Sequence, residues 1–269
     1  MSELPISASG AAAIDVAWRC AKDAGAHALS RFRTVQQIDV KGHRNIVTET
    51  DFECEQIVKA ILAEEFPNHK ILSEETLSDT DASSGWTWVI DPIDGTKNYA
   101  IGLPFWCVNV ALCRDGEPVV GLTYDAVHDE GFWAIEGQGA FLGESRLSAS
   151  SKPDVFSSIL SLDLGYDDAL GTKQLALLQR IFPQTQGFRI TGSAALGMAY
   201  AACGRVDLYV HLNVSPWDVA PGILLMREAG GLATERSGAP MRITSKQFVV
   251  GGRDVHADFM ARYAADGWG

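Results

Sequence analysis

The segment between residues 86 and 142 constrains the fold most, because it carries five apolar runs separated by turn signals. Clear turn signals are the pair Asp115-Gly116 and the stretch from Gly137 to Gly139. Short apolar runs at this spacing are typical of strands that pair with their neighbours along the chain. We therefore predict an antiparallel meander. Its strands are expected over 86–90, 105–113, 118–125, 131–135 and 139–142.

The pattern changes just after the meander, where predicted strands begin to alternate with predicted helices. Alternation of this kind indicates an α/β layer. Two helices are predicted before the meander, over 9–32 and 50–66, so the chain as a whole is of the α/β class with an α+β N-terminal half that contains an antiparallel sheet. We place a domain boundary where Ser, Lys and Pro cluster, between 145 and 155. This gives domains 1–148 and 149–269, which we expect to share a cleft.

Charge and composition exclude several classes of function. The 269 residues carry a net charge of −12, which argues against non-specific nucleic-acid binding and against a polybasic membrane-binding surface. No apolar run is long enough to span a membrane, and the N-terminus is neither basic nor apolar enough for a signal peptide. The five cysteines are scattered, so we expect free thiols in a cytoplasmic protein rather than a zinc site.

Two acids directly follow the first apolar strand, in the segment WVIDPIDGTKNYAIG over 88–102. The proline between them biases Asp91 towards an extended conformation, so Asp91 and Asp94 can both lie at the carboxyl end of a buried strand. The turn at Gly95 and Thr96 would then expose backbone N–H groups of the kind that hold phosphate oxygens. Asp-Pro and Asp-Gly pairs are equally frequent in ordinary turns, so the segment alone leaves a plain loop open.

Further acids stand at the ends of predicted elements, and each has an ordinary interpretation on its own. Glu74 follows a short predicted strand and is typical of a solvated surface, whereas Asp218 and Asp51 are typical of helix caps. Glu74 and Asp218 could nevertheless line one cleft with the two acids of the 88–102 segment, where four carboxylates would repel one another and a phosphate ester. Hard divalent cations remove that repulsion, and an all-oxygen set suits Mg²⁺ or Mn²⁺ better than zinc.

Four segments carry a resemblance to a known family. WVIDPIDGTKNY and WDVAPGILLMREAGG resemble the two signatures of the inositol monophosphatase family, and NIVTETD and ILSEE resemble its upstream motifs in the same order. The resemblance implies a layered α-β-α-β-α sandwich that is usually a homodimer. It also implies a phosphoric monoester hydrolase that acts on a small polyol or sugar phosphate, uses Mg²⁺ and is often sensitive to Li⁺. Mn²⁺ would substitute for Mg²⁺, and Ca²⁺ would inhibit.

The resemblance also implies a role for each matching residue. Two or three metal ions would be held by carboxylates and one main-chain carbonyl, namely those of Glu74, Asp91, Ile93, Asp94 and Asp218. The water that attacks phosphorus would be activated beside the metals by the catalytic residues Asp51, Glu74 and Thr96. The substrate would be contacted by Asp94, Gly95, Thr96, Gly192, Ser193 and Ala194.

One position departs from the family pattern. Seven residues before Asp218, inositol-cleaving members carry an acid that contacts sugar hydroxyls, and this chain carries His211. A histidine there can hydrogen-bond a substrate, or it can be satisfied by the backbone at a strand end. If His211 faces the pocket and binds substrate, the same chemistry could serve histidinol phosphate, fructose 1,6-bisphosphate or a 3′-phosphonucleotide. Nearby in the chain, His43 and Arg44 belong either to a mobile loop near the metals or to a solvated turn, and we favour the turn.

The expected partners follow from these hypotheses. We expect a small phosphorylated substrate and a second copy of the chain, and we expect neither nucleic acid nor a membrane. A non-catalytic metal-binding or regulatory protein that kept the fold is a further hypothesis. No residue specifically favours it, because every position that matches the catalytic set of the family is intact.

Overall fold

The computed structural model of the chain describes residues 4–34, 37–76 and 80–264. The helices are α1 (Ala13–Arg31), α2 (Glu49–Glu65), α3 (Thr96–Ala100), α4 (Asp168–Ile181), α5 (Ala194–Ala202), α6 (Pro216–Glu228) and α7 (Arg253–Phe259), with a 3₁₀ turn over Phe182–Gln184 and a π-helical turn over Met260–Ala264. The strands are β1 (Ile38–Gly42), β2 (Asn45–Thr48), β3 (Lys70–Ser73), β4 (Trp86–Asp94), β5 (Cys107–Arg114), β6 (Glu117–Asp125), β7 (Glu130–Ile135), β8 (Gly139–Leu142), β9 (Ser145–Arg146), β10 (Ile159–Asp163), β11 (Gly187–Arg189), β12 (Leu208–His211), β13 (Leu232–Thr234) and β14 (Phe248–Gly251).

The larger sheet has seven strands in the order β3-β4-β5-β6-β7-β8-β9. From β4 to β9 each strand pairs antiparallel with the next along the chain, so the predicted meander is confirmed. β3 joins the edge parallel to β4, with Ser73 opposite Ile90. Because parallel strands end at the same edge of a sheet, the residues after β3 lie beside the acids at the end of β4.

The smaller sheet has five strands in the order β11-β10-β12-β14-β13. β10, β11 and β12 run parallel, and β14 and β13 complete the sheet antiparallel. The parallel strands are connected through helices, as the predicted alternation requires. This sheet brings Asp163 and His211 side by side at the ends of β10 and β12.

The helices cover both sheets and build five layers. α1 and α2 pack on one face of the larger sheet, and α5 and α6 fill the space between the two sheets. α4 and α7 pack on the far face of the smaller sheet. The predicted α-β-α-β-α sandwich is confirmed. The hydrophobic cluster around α5 and α6 draws side chains from both halves of the chain, and the division at 148 and 149 stays a prediction.

The close packing of α6 on the larger sheet fixes the position of its N-terminus. A Cβ at Gly121 of β6 would lie 2.9 Å from the Cα of Pro221, so only glycine lets the helix approach this near. Pro221 lies inside α6 and cannot donate the usual hydrogen bond to the carbonyl of Trp217. The side-chain amide of Asn109 donates to that carbonyl instead, at 3.0 Å. The sheet thereby supplies the hydrogen bond that Pro221 cannot donate, at the residue just before Asp218.

Some elements differ from the sequence-based predictions. The helix predicted over 9–32 begins later, at Ala13, and the hairpin of β1 and β2 was not predicted. Every residue of β1 is exposed, so the alternation that marks a half-buried strand is missing. All five cysteines are free thiols, as predicted. In the part of the chain that the structure describes, no helix has the length and apolarity needed to cross a bilayer.

Candidate metal centre and active site

The strand β4 brings two of the predicted metal ligands together at its end. Its ladder with β5 is regular as far as Asp91 and is then interrupted before Asp94, where Pro92 offers no N–H. The side chains of Asp91 and Asp94 are both buried. The amide of Ile93 donates to Asp91 Oδ1 at 3.1 Å, whereas Oδ2 finds no hydrogen-bond partner among the described residues.

Asp218 joins this pair from the opposite side of the cleft. It is the third residue of α6, where the N–H of Ser215 donates to its Oδ2 at 2.7 Å and closes a capping box. One carboxylate oxygen from each of Asp91, Asp94 and Asp218 lies within 4.8 Å of the others. The helix-cap interpretation of Asp218 is therefore correct, and the same residue also completes a three-carboxylate cluster.

The electrostatics of this cluster fit a divalent cation. Burial and then the neighbouring carboxylates raise the pKa of Asp91 and of Asp218 well above the ordinary range. Burial raises the pKa of Asp94 to about 6, against the opposing effect of its own hydrogen bonds. A buried carboxylate oxygen without a partner is costly unless an ion or another donor meets it. The donor atoms are all oxygens, which suits Mg²⁺ or Mn²⁺.

Glu74 lines the same cavity as the three aspartates but stands apart from their cluster. That cavity has a volume of about 140 Å³. Lys41 Nζ lies 3.0 Å from Glu74 Oε1 and 2.6 Å from an oxygen of Glu75, so one lysine bridges both glutamates. Burial, followed by the charge of Glu74, raises the pKa of Glu75 to about 8. The structure thus brings Glu74 to the cleft with Lys41 as its partner, a contact that the sequence did not predict.

Asp51 and Thr96 meet beside the cluster, as the resemblance implied. Asp51 closes the capping box of α2, where it accepts the N–H of Thr48 at 2.9 Å. The hydroxyl of Thr96 lies 3.0 Å from Asp51 Oδ1 and 3.0 Å from the carbonyl oxygen of Ile93. Burial raises the pKa of Asp51 to about 6. One hydroxyl thus joins a buried carboxylate to the carbonyl that was predicted to face a metal.

The turn after the cluster requires glycine for two reasons. Gly95 has φ +92°, in the left-handed region that side chains rarely adopt. A Cβ there would also lie 3.0 Å from the carbonyl oxygen of Phe105. Helix α3 starts directly after this residue, at Thr96. The first N–H groups of a helix have no partner within the helix, which is the general condition for binding an anion at such a turn.

The predicted substrate loop touches the cluster through Asp94. Ser193 donates its hydroxyl hydrogen bond to Asp94 Oδ2, and the N–H of Ala195 donates to the same oxygen at 2.9 Å. Gly192 and Ala194 line a second cavity of about 290 Å³, which adjoins the first and shares Asp94 and Asp218 with it. The structure therefore places all three predicted loop residues beside the carboxylate cluster.

His211 lies at the same cavity; the backbone satisfies one of its nitrogens, as one of the two interpretations held, and a contact with substrate stays a prediction. Its side chain is buried, and Nδ1 accepts the N–H of Asn213 at 3.1 Å, which leaves the proton of the neutral ring on Nε2. Burial lowers the pKa of His211 to about 4, so the ring is neutral near pH 7. The backbone satisfies one nitrogen while the ring lines the 290 Å³ cavity.

Several residues of the site were missed by sequence reasoning. Asp163 accepts the N–H of Thr191 at 2.9 Å, the N–H of Gly192 at 2.7 Å and the hydroxyl of Tyr209 at 2.7 Å, and so holds the substrate loop. Burial raises the pKa of Asp163 to about 6. The signal was available, since an acid ends the apolar run of β10 just as Asp91 ends that of β4. Other polar wall residues that were missed are Lys97, Tyr166 and Asn213, and Arg44, for which we favoured a solvated turn, also lines this cavity.

The geometry agrees with comparisons to known proteins. The sequence profile of the Inositol monophosphatase family matches residues 11–267. The chain belongs to the inositol monophosphatase family. Inositol monophosphatase 2 of Solanum lycopersicum is 37% identical over 244 residues, which cover 87% of this chain and 91% of the relative. The Nus factor SuhB of Pasteurella multocida is 35% identical over 240 residues, covering 88% and 90%. The solved Thermotoga maritima IMPase superposes with a TM-score of 0.86 at 30% identity, covering 95% and 98%.

Family membership settles the class of chemistry. Members are phosphoric monoester hydrolases that act on small phosphorylated substrates, and the family is generally metal-dependent. The predicted family, fold and enzyme class are therefore confirmed for this chain.

The buried acids predict an unusual pH dependence of the metal-free protein. Asp51, Asp94 and Asp163 have a pKa of about 6 in the folded state, above the ordinary value, so the folded state binds their protons more tightly than the unfolded state. The free energy of unfolding contributed by these groups must fall as the pH rises from about 4 through about 6. We expect the melting temperature in EDTA to drop by about 5 °C or more across this window.

The matched measurement is the same pH series with Mg²⁺ in place of EDTA. An ion between Asp91, Asp94 and Asp218 favours the charged form of Asp94, so the drop should become smaller, whereas the contributions of Asp51 and Asp163, which lie outside the metal set, should remain. A melting temperature in EDTA that climbs steadily from pH 4.5 to pH 7 would show that the acids are not destabilised by burial.

Proposed function

We propose that the chain is a Mg²⁺-dependent phosphate monoesterase that hydrolyses a small polyol or sugar phosphate. The observation that carries the proposal is the convergence of Asp91, Asp94 and Asp218 with a buried carboxylate oxygen that lacks a partner. Two or three Mg²⁺ ions would be used, Mn²⁺ would substitute for them, and Li⁺ and Ca²⁺ would inhibit. The ions would be held by Glu74, Asp91, the carbonyl of Ile93, Asp94 and Asp218.

The bound ions and the chain would divide the chemistry between them. When bound, such ions lower the pKa of water and offset the negative charge on the transferred phosphoryl group and the leaving oxygen. Glu74 would become a metal ligand by giving up its ion pair with Lys41 and binding a metal ion instead. Ser193 and Ala195 hold Asp94 Oδ2, which leaves its other oxygen to face the cleft.

Thr96 and Asp51 would handle the proton of the attacking water. The Thr96 hydroxyl donates towards Asp51 or the carbonyl of Ile93, so its lone pairs remain free to accept a hydrogen bond from water. Asp51, whose pKa is about 6, is mostly ionised near pH 7 and close enough in basicity to accept a proton through Thr96. The N–H groups of Gly95 and Thr96 would bind the phosphate oxygens and fix its orientation.

The size of the cavity supports a small leaving group but does not identify which molecule it is. A volume of about 290 Å³ suits a compact metabolite rather than a polymer. The neutral ring of His211 takes the position at which inositol-cleaving members carry an acid that contacts sugar hydroxyls. This difference favours the second candidate function, which is the same chemistry on histidinol phosphate, fructose 1,6-bisphosphate or a 3′-phosphonucleotide. No observation favours a non-catalytic role.

Partners and location stay predictions. We propose a homodimer of cytoplasmic location that binds neither nucleic acid nor a membrane. The relative from Pasteurella multocida is described as a Nus factor and not by a substrate. A macromolecular partner is therefore a specific alternative to test.

The experiment that tests the proposed function is a phosphate-release assay with a panel of small phosphate esters. We expect turnover of at least one ester with Mg²⁺, loss of that turnover in EDTA, and recovery on adding excess Mg²⁺ or Mn²⁺. Turnover that EDTA leaves unchanged, or no release from any ester by folded protein that binds Mg²⁺, would contradict the proposal.

A further inference from the structure

We infer that the 290 Å³ cavity selects substrates whose leaving group carries a second anionic group, a phosphate or a carboxylate, through Arg44 and Lys97. The inference deepens the proposed function and rests on it. Three features of the cavity carry it: two cations on its wall, the saturation of Asp163, which among the described residues is the one acid of that wall outside the proposed metal ligands, and a histidine that carries no charge. The metal ligands account for the phosphoryl group that is transferred, and these two cations stand outside that set.

Arg44 reaches the cavity from the hairpin between β1 and β2. It sits at the tip of that hairpin with φ 56°, a left-handed turn conformation. Its guanidinium lines the cavity and pairs with Asp168 Oδ1 at 2.7 Å. Asp168 is itself 70% exposed, so water screens this ion pair and the guanidinium can engage a second anion. The interpretation of Arg44 as a solvated turn residue is thus incomplete.

Lys97 reaches the same cavity from α3, one residue after Thr96. Its Nζ lies 4.4 Å from the ring centroid of Tyr166, which also lines the cavity. Among the described residues, no carboxylate stands within ion-pair distance of this ammonium. Burial and then the charge of Arg44 lower the pKa of Lys97, so the two cations are near enough to repel one another. An anion between them would relieve that repulsion.

The remaining polar groups at this end do not cancel the two positive charges. Asp163 lines the cavity, but two N–H groups and the hydroxyl of Tyr209 already occupy its carboxylate. His211 is neutral, and its Nε2–H can donate to an anion or a hydroxyl. The chain carries a net charge of −12, so two cations at one cavity wall, of which Arg44 alone has a carboxylate partner among the described residues and that partner is exposed, are a local exception.

This arrangement ranks the candidate substrates. A leaving group with a phosphate or carboxylate gains from both cations, a neutral polyol gains nothing from them, and an ammonium group is repelled. The inference therefore favours fructose 1,6-bisphosphate and a bisphosphorylated nucleoside over inositol monophosphate, and it places histidinol phosphate last.

The test compares kcat/KM for matched pairs of esters that differ in the second anionic group. The pairs are fructose 1,6-bisphosphate with fructose 1-phosphate, adenosine 3′,5′-bisphosphate with adenosine 3′-phosphate, and 3-phosphoglycerate with glycerol 3-phosphate. The first two pairs measure preference for a phosphate and the third for a carboxylate. We expect at least one pair to favour the doubly anionic member about tenfold or more, with a preference that weakens as NaCl is raised.

Variants assign that preference to the two cations. Lys97→Gln and Arg44→Gln should each lower the within-pair ratio about tenfold, whereas Lys97→Arg should retain most of it because the charge is kept. Lys22→Gln, on the exposed face of α1, makes the same charge change outside the cavity and should leave the ratio as in the wild type.

Two results would overturn the inference. One is a wild-type enzyme that turns over both members of every pair equally well or prefers histidinol phosphate. The other is a loss in Lys97→Gln and Arg44→Gln that is equal for both members of each pair. Both results require turnover, so they leave the proposed function standing, whereas absence of turnover from every ester would refute the proposed function itself.

Discussion

Asp91→Asn is expected to remove the Mg²⁺-dependent release of phosphate by at least about a hundredfold while making the metal-free protein more stable. The loss follows because the substitution removes a charged ligand, and a metal ion supplies several kcal/mol of transition-state stabilisation. The gain follows because the buried Oδ2 has no partner among the described residues and its charge is repelled by Asp94 and Asp218. We expect the melting temperature in EDTA to rise by several degrees, with little or no further increase on adding Mg²⁺.

Asp125→Asn provides the matched control. Asp125 is also a buried acid, but its Oδ1 accepts the N–H groups of Val127 and His128, and its Oδ2 lies 2.8 Å from the His128 ring. Burial raises the pKa of Asp125 as well, but these partners oppose that effect, so Asp125→Asn should stabilise the metal-free protein less than Asp91→Asn does, or destabilise it, and should leave the effect of Mg²⁺ on the melting temperature intact. If Asp91→Asn instead destabilised the metal-free protein, the charge of Asp91 would stabilise the metal-free fold, and the interpretation of the cluster as a metal site would lose its main support.

Thr96→Val is expected to lower kcat about a hundredfold while Mg²⁺ still binds. Valine keeps the volume of threonine but removes the hydroxyl that links Asp51 to the cleft, and general-base catalysis contributes at least about this factor. Asp51→Asn should have an effect of similar size, and the double variant should be scarcely worse than either single variant because the two residues act as a unit. The readouts are kcat by phosphate release and Mg²⁺ binding by calorimetry.

The control for this series lies on the same strand as Asp91. Thr87 is buried in β4, and its hydroxyl has no partner among the described residues, so Thr87→Val removes no hydrogen bond. We expect its kcat and Mg²⁺ affinity to match those of the wild type. Losses in Thr96→Val and Asp51→Asn that multiply in the double variant would show that the two residues act independently, and a loss of Mg²⁺ affinity in Thr96→Val would point to a structural role.

The parts of the fold that sequence predicted are those in which local pattern and tertiary packing agree. The strands β4 to β8 are apolar runs bounded by turn residues, and they pair with their chain neighbours, so no long-range information was needed. The convergence of Asp91, Asp94 and Asp218 was predictable because each follows a buried strand or opens a buried helix. Element ends of this kind meet at one cleft in α/β sandwiches.

The parts that sequence missed depend on contacts between distant segments. Strand β1 is exposed along its whole length, so hydrophobic periodicity could not reveal the β1–β2 hairpin, and the turn of that hairpin carries Arg44 to the cavity only through the tertiary fold. The Lys41–Glu74 ion pair joins residues 33 positions apart. Asp163 ends the apolar run of β10, which is a local signal, but its role could not be predicted because the carboxylate binds backbone N–H groups of a loop 28 or 29 positions later.

The most direct test of the central claim is the anomalous density of crystals soaked in Mn²⁺, which would reveal whether the acidic cluster holds an ion. We predict a strong peak within coordination distance of Asp91, Asp94 and Asp218, and its absence in Asp91→Asn crystals soaked in the same way. A wild-type crystal that takes up Mn²⁺ elsewhere, or not at all, with the three carboxylates still clustered, would contradict the account.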